Sequence, residues 1–154
     1  MSNEVIIGAL GPVLQRLKSL DLSTPDAARE TLAREFSYDS APVKHLRNLG
    51  EIGLREGWLC DKGTPGSKFS RVAKPEKAMG FSIDAVLLAA DGPWHKHTNG
   101  EVNYCIALDG EPRFCGVEPG WAVFAPGSEH VPSVRGGTML IFYLLPQGAV
   151  EWKK

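Results

Sequence analysis

Apolar residues recur at steps of three and four along the first third of the chain, which is the spacing of an amphipathic helix. This pattern predicts helices over residues 4–20, 25–36 and 41–56, the first continuing past Gly11-Pro12. Thr24-Pro25-Asp26 is typical of a helix N-terminus, with a capping residue, a proline and an acid in the first turn. We expect the helices to cover a sheet or to form a subunit contact.

After residue 57 the pattern changes to short runs rich in β-branched and aromatic residues, separated by glycine and proline. The predicted turns lie at 63–66, 109–110, 118–120 and 136–137. The predicted strands are 58–60, 68–73, 81–90, 95–97, 101–108, 113–115, 121–125, 130–134 and 138–145. Many short strands at this spacing indicate an antiparallel sandwich or barrel. The expected fold class is therefore mainly β with N-terminal helices, divided into a helical extension (1–57) and a β-barrel (58–154).

Composition and charge narrow the classes of partner. A hydrophobic share of 43% among 154 residues is enough for a real core, and the net charge of −1 comes without a basic run. Nucleic acid and anionic membranes are therefore not expected as partners. No apolar stretch approaches the roughly 20 residues that cross a bilayer. Three unpaired cysteines and the lack of a secretory signal lead us to expect a cytoplasmic protein, and we expect a homodimer.

Three of the four histidines fall in two short segments. On a strand, His95 and His97 point to one face about 6.6 Å apart, and Glu101 has the same parity. If His130 arrives from another strand, three imidazoles and one carboxylate share a pocket that suits a divalent transition metal, with iron, manganese or zinc as candidates. Two alternatives stay open: an exposed His-x-His pair without function, and a metal-free acid–base set that includes His97. His45, beside Lys44 and Arg47 on a helix, is expected at the surface.

These residues resemble the two motifs of the cupin superfamily. The first motif is matched by Gly92, His95, His97, Glu101 and Gly110, with a shorter spacing before the histidines and two extra residues after the glutamate. The second is matched by Gly120, Pro126, Gly127 and His130, with one residue fewer between proline and histidine. The resemblance covers residues 58–152 and implies a cupin-type antiparallel β-barrel, or jelly roll. It also implies that the metal ligands are His95, His97, Glu101 and His130.

A narrower resemblance extends over nearly the whole chain. Gly57-Trp58-Leu59-Cys60, Phe69-Ser70-Arg71-Val72, the segments 95–101 and 126–132, and the helical N-terminus are similar to the 4-hydroxylaminobenzoate lyase family. The resemblance implies a bacterial lyase of nitroaromatic degradation. Such an enzyme converts 4-hydroxylaminobenzoate and water to protocatechuate (3,4-dihydroxybenzoate) and ammonium. Its substrate partner would be a small aromatic carboxylate.

That reaction requires proton transfer, a cation for the carboxylate and apolar walls for the ring. Glu101 and Glu129 are the candidate proton carriers, and Glu129 is preferred if Glu101 binds metal. Arg71 is the candidate for gripping the carboxylate, whereas Arg113 follows a turn and is expected at the surface. The candidates for ring contact are Trp94, Phe81, Tyr104 and Tyr143. Asn103 and Cys105 share the parity of Glu101, and Asn103 is expected to line the cavity while Cys105 is more simply a small buried residue.

The cupin fold alone does not choose a reaction, so two other functions stay open. The same ligands could serve a metal-dependent dioxygenase or isomerase. The chain could also be a non-catalytic protein that binds a small acid.

Overall fold

The computed structural model describes residues 2–152 and begins with three helices. They are α1 (Asn3–Leu17), α2 (Pro25–Glu35) and α3 (Ala41–Glu56), close to the predicted bounds. Pro12 lies inside α1, and Gly57 ends α3 in a left-handed conformation with φ of 84°. Among residues 2–152, none of the helices has the length and apolar content that a membrane crossing requires.

The rest of the chain forms two antiparallel sheets. The larger has the order β1-β2-β3-β8-β5-β6, and the smaller has the order β7-β4-β9. The strands are β1 (Lys62–Thr64), β2 (Ser67–Ala73), β3 (Phe81–Leu88), β4 (His95–His97), β5 (Glu101–Phe114), β6 (Gly120–Phe124), β7 (Ser128–His130), β8 (Val134–Pro146) and β9 (Glu151–Trp152). Within residues 2–152 the sheets share no strand pairing, and they face each other where Glu101 of β5 approaches His95 and His97 of β4. The predicted mainly-β, cupin-type class with N-terminal helices is confirmed.

The larger sheet separates two cores because alternate residues of its strands face opposite sides. On its outer face Tyr104 and Phe142 join the apolar residues of the helices in one buried cluster. On its inner face Cys105, Ile141 and Tyr143 belong to a second cluster, toward the smaller sheet. This alternation decides which side chains of β5 and β8 can reach a site between the sheets.

One predicted strand, at 58–60, and the predicted turns at 109–110 and 136–137 are wrong, and the predicted strand 130–134 falls mostly between β7 and β8. Residues 58–60 are not a strand, because the N–H groups of Trp58 and Leu59 both donate to Gly53 O at the end of α3. The predicted hairpin turn at Asp109-Gly110 does not exist either. β5 continues through it as an irregular stretch against β8, whose own predicted turn at 136–137 lies directly opposite. The glycines there serve close backbone approach, since a Cβ on Gly110 would collide with the carbonyl oxygen of Gly136.

We predict that Gly110→Ala destabilises the protein more than Gly116→Ala. Both glycines have a left-handed φ, of 64° and 81°, so both alanines carry a conformational cost of roughly 1–2 kcal/mol. Only the Gly110 variant also meets backbone, because no atom lies within 4 Å of a Cβ on Gly116. We expect urea unfolding to show an additional loss of roughly 1–3 kcal/mol for Gly110→Ala. Equal unfolding free energies for the two variants would contradict the close approach.

Candidate metal centre and active-site cavity

The pairing of β4 with β7 brings the two histidine segments together. His95 is directly opposite His130, and His97 is opposite Ser128. Glu101 begins β5 and reaches the same point from the larger sheet. One ligand atom from each of the four predicted residues lies within 4.8 Å of all the others, and His97 and Glu101 are fully buried. The predicted convergence of these four side chains is confirmed.

The proton of His97 is placed by its neighbour Ser128. Ser128 Oγ donates its one proton to the carbonyl oxygen of Ala125 at 2.6 Å. It can therefore only accept from His97 Nδ1, which lies 2.8 Å away. With the proton on Nδ1, neutral His97 directs the lone pair of Nε2 into the cluster.

His95 is oriented in the same way by the backbone. Its Nδ1 lies 3.3 Å from the carbonyl oxygen of Pro93, which can only accept, so Nε2 again faces the cluster as a lone pair. The Nε2 atom of His130 lies 3.1 Å from that of His97 and 3.3 Å from that of His95. Nitrogens bound to one ion at about 2.0–2.1 Å are about 2.9–3.4 Å apart, depending on geometry. The observed separations fit that range.

Glu101 adds negative charge to these lone pairs. Its Oε2 accepts from Asn103 Nδ2 at 3.0 Å, whereas the buried Oε1 has no hydrogen-bond donor among the described residues. The Nε2 atoms of His95 and His97 lie 3.3 and 3.1 Å from its two oxygens. Burial acts to raise the pKa of Glu101, whereas hydrogen bonds and positive charge at the positions of His95 and His97 act to lower it, to about 2. Where Nε2 presents a lone pair instead, a cation among the ligand atoms acts in that same lowering direction.

His130 completes the cluster as a neutral ligand. Burial is the main cause that lowers its pKa to about 4, so it is uncharged near neutral pH. Its Nδ1 lies 3.6 Å from Cys115 Sγ, which leaves Nε2 turned toward the other histidines. Converging imidazole lone pairs and a carboxylate repel one another unless a cation lies between them. The four residues therefore fit a divalent metal ion, which could be held by His95, His97, Glu101 and His130.

A cavity of about 510 Å³ leads from this cluster to the surface. His95 and Glu101 lie at its inner end, while Lys62 and Arg71 line its exposed side. Its remaining walls are largely apolar, and they include Phe69, Val86, Leu88, Pro93, Pro132, Tyr143, Leu145, Val150 and Trp152. A volume of this size and a few polar groups are typical of small-molecule sites.

Arg71 lines the cavity, where its predicted partner would be a carboxylate. Its Nε already donates to Asp84 Oδ1 at 2.6 Å, which leaves the two Nη groups for a ligand. Burial raises the pKa of Asp84, although the neighbouring guanidinium acts in the opposite direction. Lys62 also lines this part of the cavity, but its Nζ pairs with Asp61 Oδ1 at 3.3 Å. The two Nη groups of Arg71 are therefore the donors best placed to meet a carboxylate.

The structure corrects the placement of several predicted site residues, among them Glu129, Tyr104 and Trp94. Glu129 is exposed between Ser128 and His130, because strand alternation turns it away from the cluster that His130 joins. Tyr104 has the opposite parity to Glu101 and lies on the helix side, where Arg47 Nη1 donates to its hydroxyl at 3.3 Å. Trp94 precedes β4 and is not among the residues that line the cavity. Glu129 cannot carry protons there, and Tyr104 cannot touch a ligand there.

Asn103 and Phe81 do not line the cavity as predicted. Asn103 is fully buried, because its amide donates to Glu101 Oε2 beneath the cavity wall, and Cys105 belongs to the inner-face core as expected. Arg113 is exposed and pairs with Glu118 at 3.6 Å, and His45 is exposed on α3. Phe81 is buried in the helix-side core rather than in the cavity wall.

Three residues of the site were not predicted from the sequence. Ser128 has the parity of His130, but its contact with His97 follows from the pairing of β4 and β7. Asp84 lies opposite Arg71 in the register of β2 and β3. Trp152 pairs with His95 through β9, and their ring centroids are 5.4 Å apart. The contact that each of these residues makes depends on which strands pair with one another. The opposite charges of Arg71 and Asp84 were the one feature of the sequence from which such a contact could have been predicted.

Fold and site together define a cupin-type protein: two facing antiparallel sheets with three histidines and a glutamate between them. Similar solved structures include an RmlC-like cupin protein from Ralstonia eutropha (TM-score 0.43, 15% identity, 59% of this chain and 62% of that one). A cupin-like protein from Thermotoga maritima is another (TM-score 0.43, 15% identity, 62% of this chain and 85% of that one).

The particular family follows from the sequence comparisons. The family described as PnbB: 4-hydroxylaminobenzoate lyase matches residues 12–152. A 4-hydroxylaminobenzoate lyase from Nocardioides sp. (strain LMS-CY) is 29% identical over 96% of this chain and 92% of its own. One from Pseudomonas putida is 29% identical over 79% and 80%. The chain belongs to the 4-hydroxylaminobenzoate lyase family, and it is an enzyme.

We predict that the purified protein binds one divalent transition metal per chain and that His97→Ala lowers this occupancy at least about tenfold, since it removes a direct ligand. The matched control is His45→Ala, which removes an exposed histidine of α3. Elemental analysis after dialysis against a weak chelator measures both variants. Equal metal content in the two variants would contradict the proposed ligand set.

Proposed function

We propose that this enzyme converts 4-hydroxylaminobenzoate and water to protocatechuate and ammonium, as a step of nitroaromatic degradation. The reaction needs no outside oxidant, because the hydroxylamine carries the oxidising equivalent. The N–O bond breaks and its oxygen leaves as water, while two water molecules supply the oxygens that end on the ring. The ring carbon loses its nitrogen as ammonia, so the net reaction consumes one water.

The observation that carries this proposal is one cavity that has Arg71 on its exposed side and His95 and Glu101 at its inner end. Arg71, Asp84, Tyr143 and Asn103 are consecutive partners in the register of β2, β3, β8 and β5, all on the inner face. Three strand intervals separate the first from the last, or about 14 Å between backbones. A benzoate lying along this row would place its carboxylate at Arg71 and its para substituent toward Glu101 and the histidines.

A divalent iron, manganese or zinc ion held by His95, His97, Glu101 and His130 would supply Lewis acidity at the para substituent. The chain itself performs the remaining tasks. Arg71 binds the carboxylate by charge-assisted hydrogen bonds, and the apolar walls contact the ring faces. Burial of the inner end excludes bulk water from the reacting atoms.

The direct test is anaerobic incubation of the metal-analysed protein with 4-hydroxylaminobenzoate. We expect ammonium and protocatechuate to form in equal amounts at the same rate with and without oxygen. A dioxygenase on the same ligands would consume oxygen and stop without it. Binding of the acid without any ammonium would instead indicate a non-catalytic protein, and either result would contradict the proposal.

We predict that Arg71→Ala weakens affinity for the substrate by about ten- to a hundredfold, because a charge-assisted contact is worth roughly 1.5–3 kcal/mol. Arg113→Ala is the control, since it removes the same charge from an exposed residue outside the cavity. Calorimetric titration with 4-aminobenzoate compares the two variants without turnover. Unchanged affinity in Arg71→Ala would remove this residue from the carboxylate site.

A further inference from the structure

Tyr143 lies in the middle of the row of register partners Arg71, Asp84, Tyr143 and Asn103, between the proposed carboxylate site and the candidate metal site. It is the register partner of Asp84 on one side and of Asn103 on the other. Its ring is 6.2 Å from that of His95, measured between centroids. Because it lines the cavity with its neighbours Asp84 and Leu145, a ligand that fills the cavity must pass across it.

The hydroxyl of Tyr143 is a donor without a use in the fold. The residue is only 8% exposed, and no residue between 2 and 152 forms a hydrogen bond with its hydroxyl group. Next to it in the register, Asn103 Oδ1 is buried without a partner, and Asn103 contacts Glu101, which lines the cavity. Buried polar groups are almost always hydrogen-bonded, so this open acceptor, together with a phenol donor that is free on the cavity wall, points to a polar ligand.

The hydroxyl of Tyr143 is suited to donate. An ordinary phenol has a pKa of about 10, so it carries its proton near neutral pH. It can donate a hydrogen bond to an oxygen of the ligand.

We infer that Tyr143 is a catalytic residue of the proposed lyase reaction, donating a hydrogen bond from its hydroxyl to the N-hydroxyl oxygen of the substrate. As the N–O bond breaks, the electron pair stays on that oxygen, which takes a proton from one of the reacting water molecules in the cavity and leaves as water. Tyr143 keeps its own proton throughout and stabilises the charge that develops on the oxygen. This role rests on the proposed function, because it requires a substrate with an N–O bond.

A structural role for the same residue predicts a different outcome. Since the hydroxyl has no partner in the fold, Tyr143→Phe removes no hydrogen bond within the protein and should leave stability unchanged or slightly higher. Tyr104→Phe is the matched control on the other face of the sheet. It removes the contact with Arg47, so it should cost up to about 1 kcal/mol of stability and leave catalysis intact.

The experiment compares the wild type, Tyr143→Phe and Tyr104→Phe by ammonium release, by thermal unfolding and by titration with 4-aminobenzoate. We expect kcat of Tyr143→Phe to fall about a hundredfold, as for other lost donors to a developing charge. Its affinity for 4-aminobenzoate should stay within about threefold of wild type, because this probe lacks the N-hydroxyl oxygen. Tyr104→Phe should match the wild type in both.

Two results would overturn the assignment while leaving the proposed function intact. One is a kcat of Tyr143→Phe equal to that of Tyr104→Phe in an active enzyme. The other is a loss of 4-aminobenzoate affinity as large as the loss of kcat, which would make Tyr143 a packing residue of the cavity wall. If the wild type itself releases no ammonium, the proposed function fails, and the role of Tyr143 fails with it.

Discussion

Electrostatic repulsion among the buried ligand atoms of the candidate metal site is the constraint that the rest of the structure has to satisfy. Ser128 and Pro93 each fix the tautomer of one histidine so that its free nitrogen points inward, toward the carboxylate of Glu101. Such an arrangement is unfavourable unless a positive charge compensates it, and it persists because two sheets hold the backbone on both sides. The hydrogen bonds behind the imidazoles are therefore as much a part of the site as the ligating atoms.

The two faces of the larger sheet have different roles, because the candidate metal site needs polar side chains on one face only. Its outer face packs against three helices and stabilises the fold, which leaves the inner face free to carry polar side chains. The adjacent residues Asn103 and Tyr104 illustrate this, since one contacts Glu101 and the other contacts Arg47. A single-residue shift in the register of β5 would exchange these roles and empty the site.

The helices and the ligand set could be predicted from the sequence because both depend on local spacing. The bounds of α3 and β4 agree with the predictions, and the cupin-like order of histidines and glutamate located the cluster. The hairpin at Asp109-Gly110 was mispredicted because the same glycines that permit a tight turn also permit two strands to approach closely. Glu129 and Tyr104 could have been excluded from the sequence, because each is adjacent to a residue predicted to face the site, His130 or Asn103, and alternation puts it on the opposite face.

One wall of the cavity is attached through short strand pairing. Val150 and Trp152 belong to a segment that returns after left-handed residues at Gln147 and Gly148, and β9 pairs with β4 through two residue pairs. Further ties are the hydrogen bonds from Asn99 Nδ2 to Gln147 Oε1, at 3.0 Å, and from Gln147 N to Gly80 O, at 2.7 Å. The free energy of local opening is lowest where strand pairing is shortest. Opening and closing of this segment would therefore govern how long an acid stays in the cavity. Turnover could then be limited by a peripheral strand that supplies no ligand.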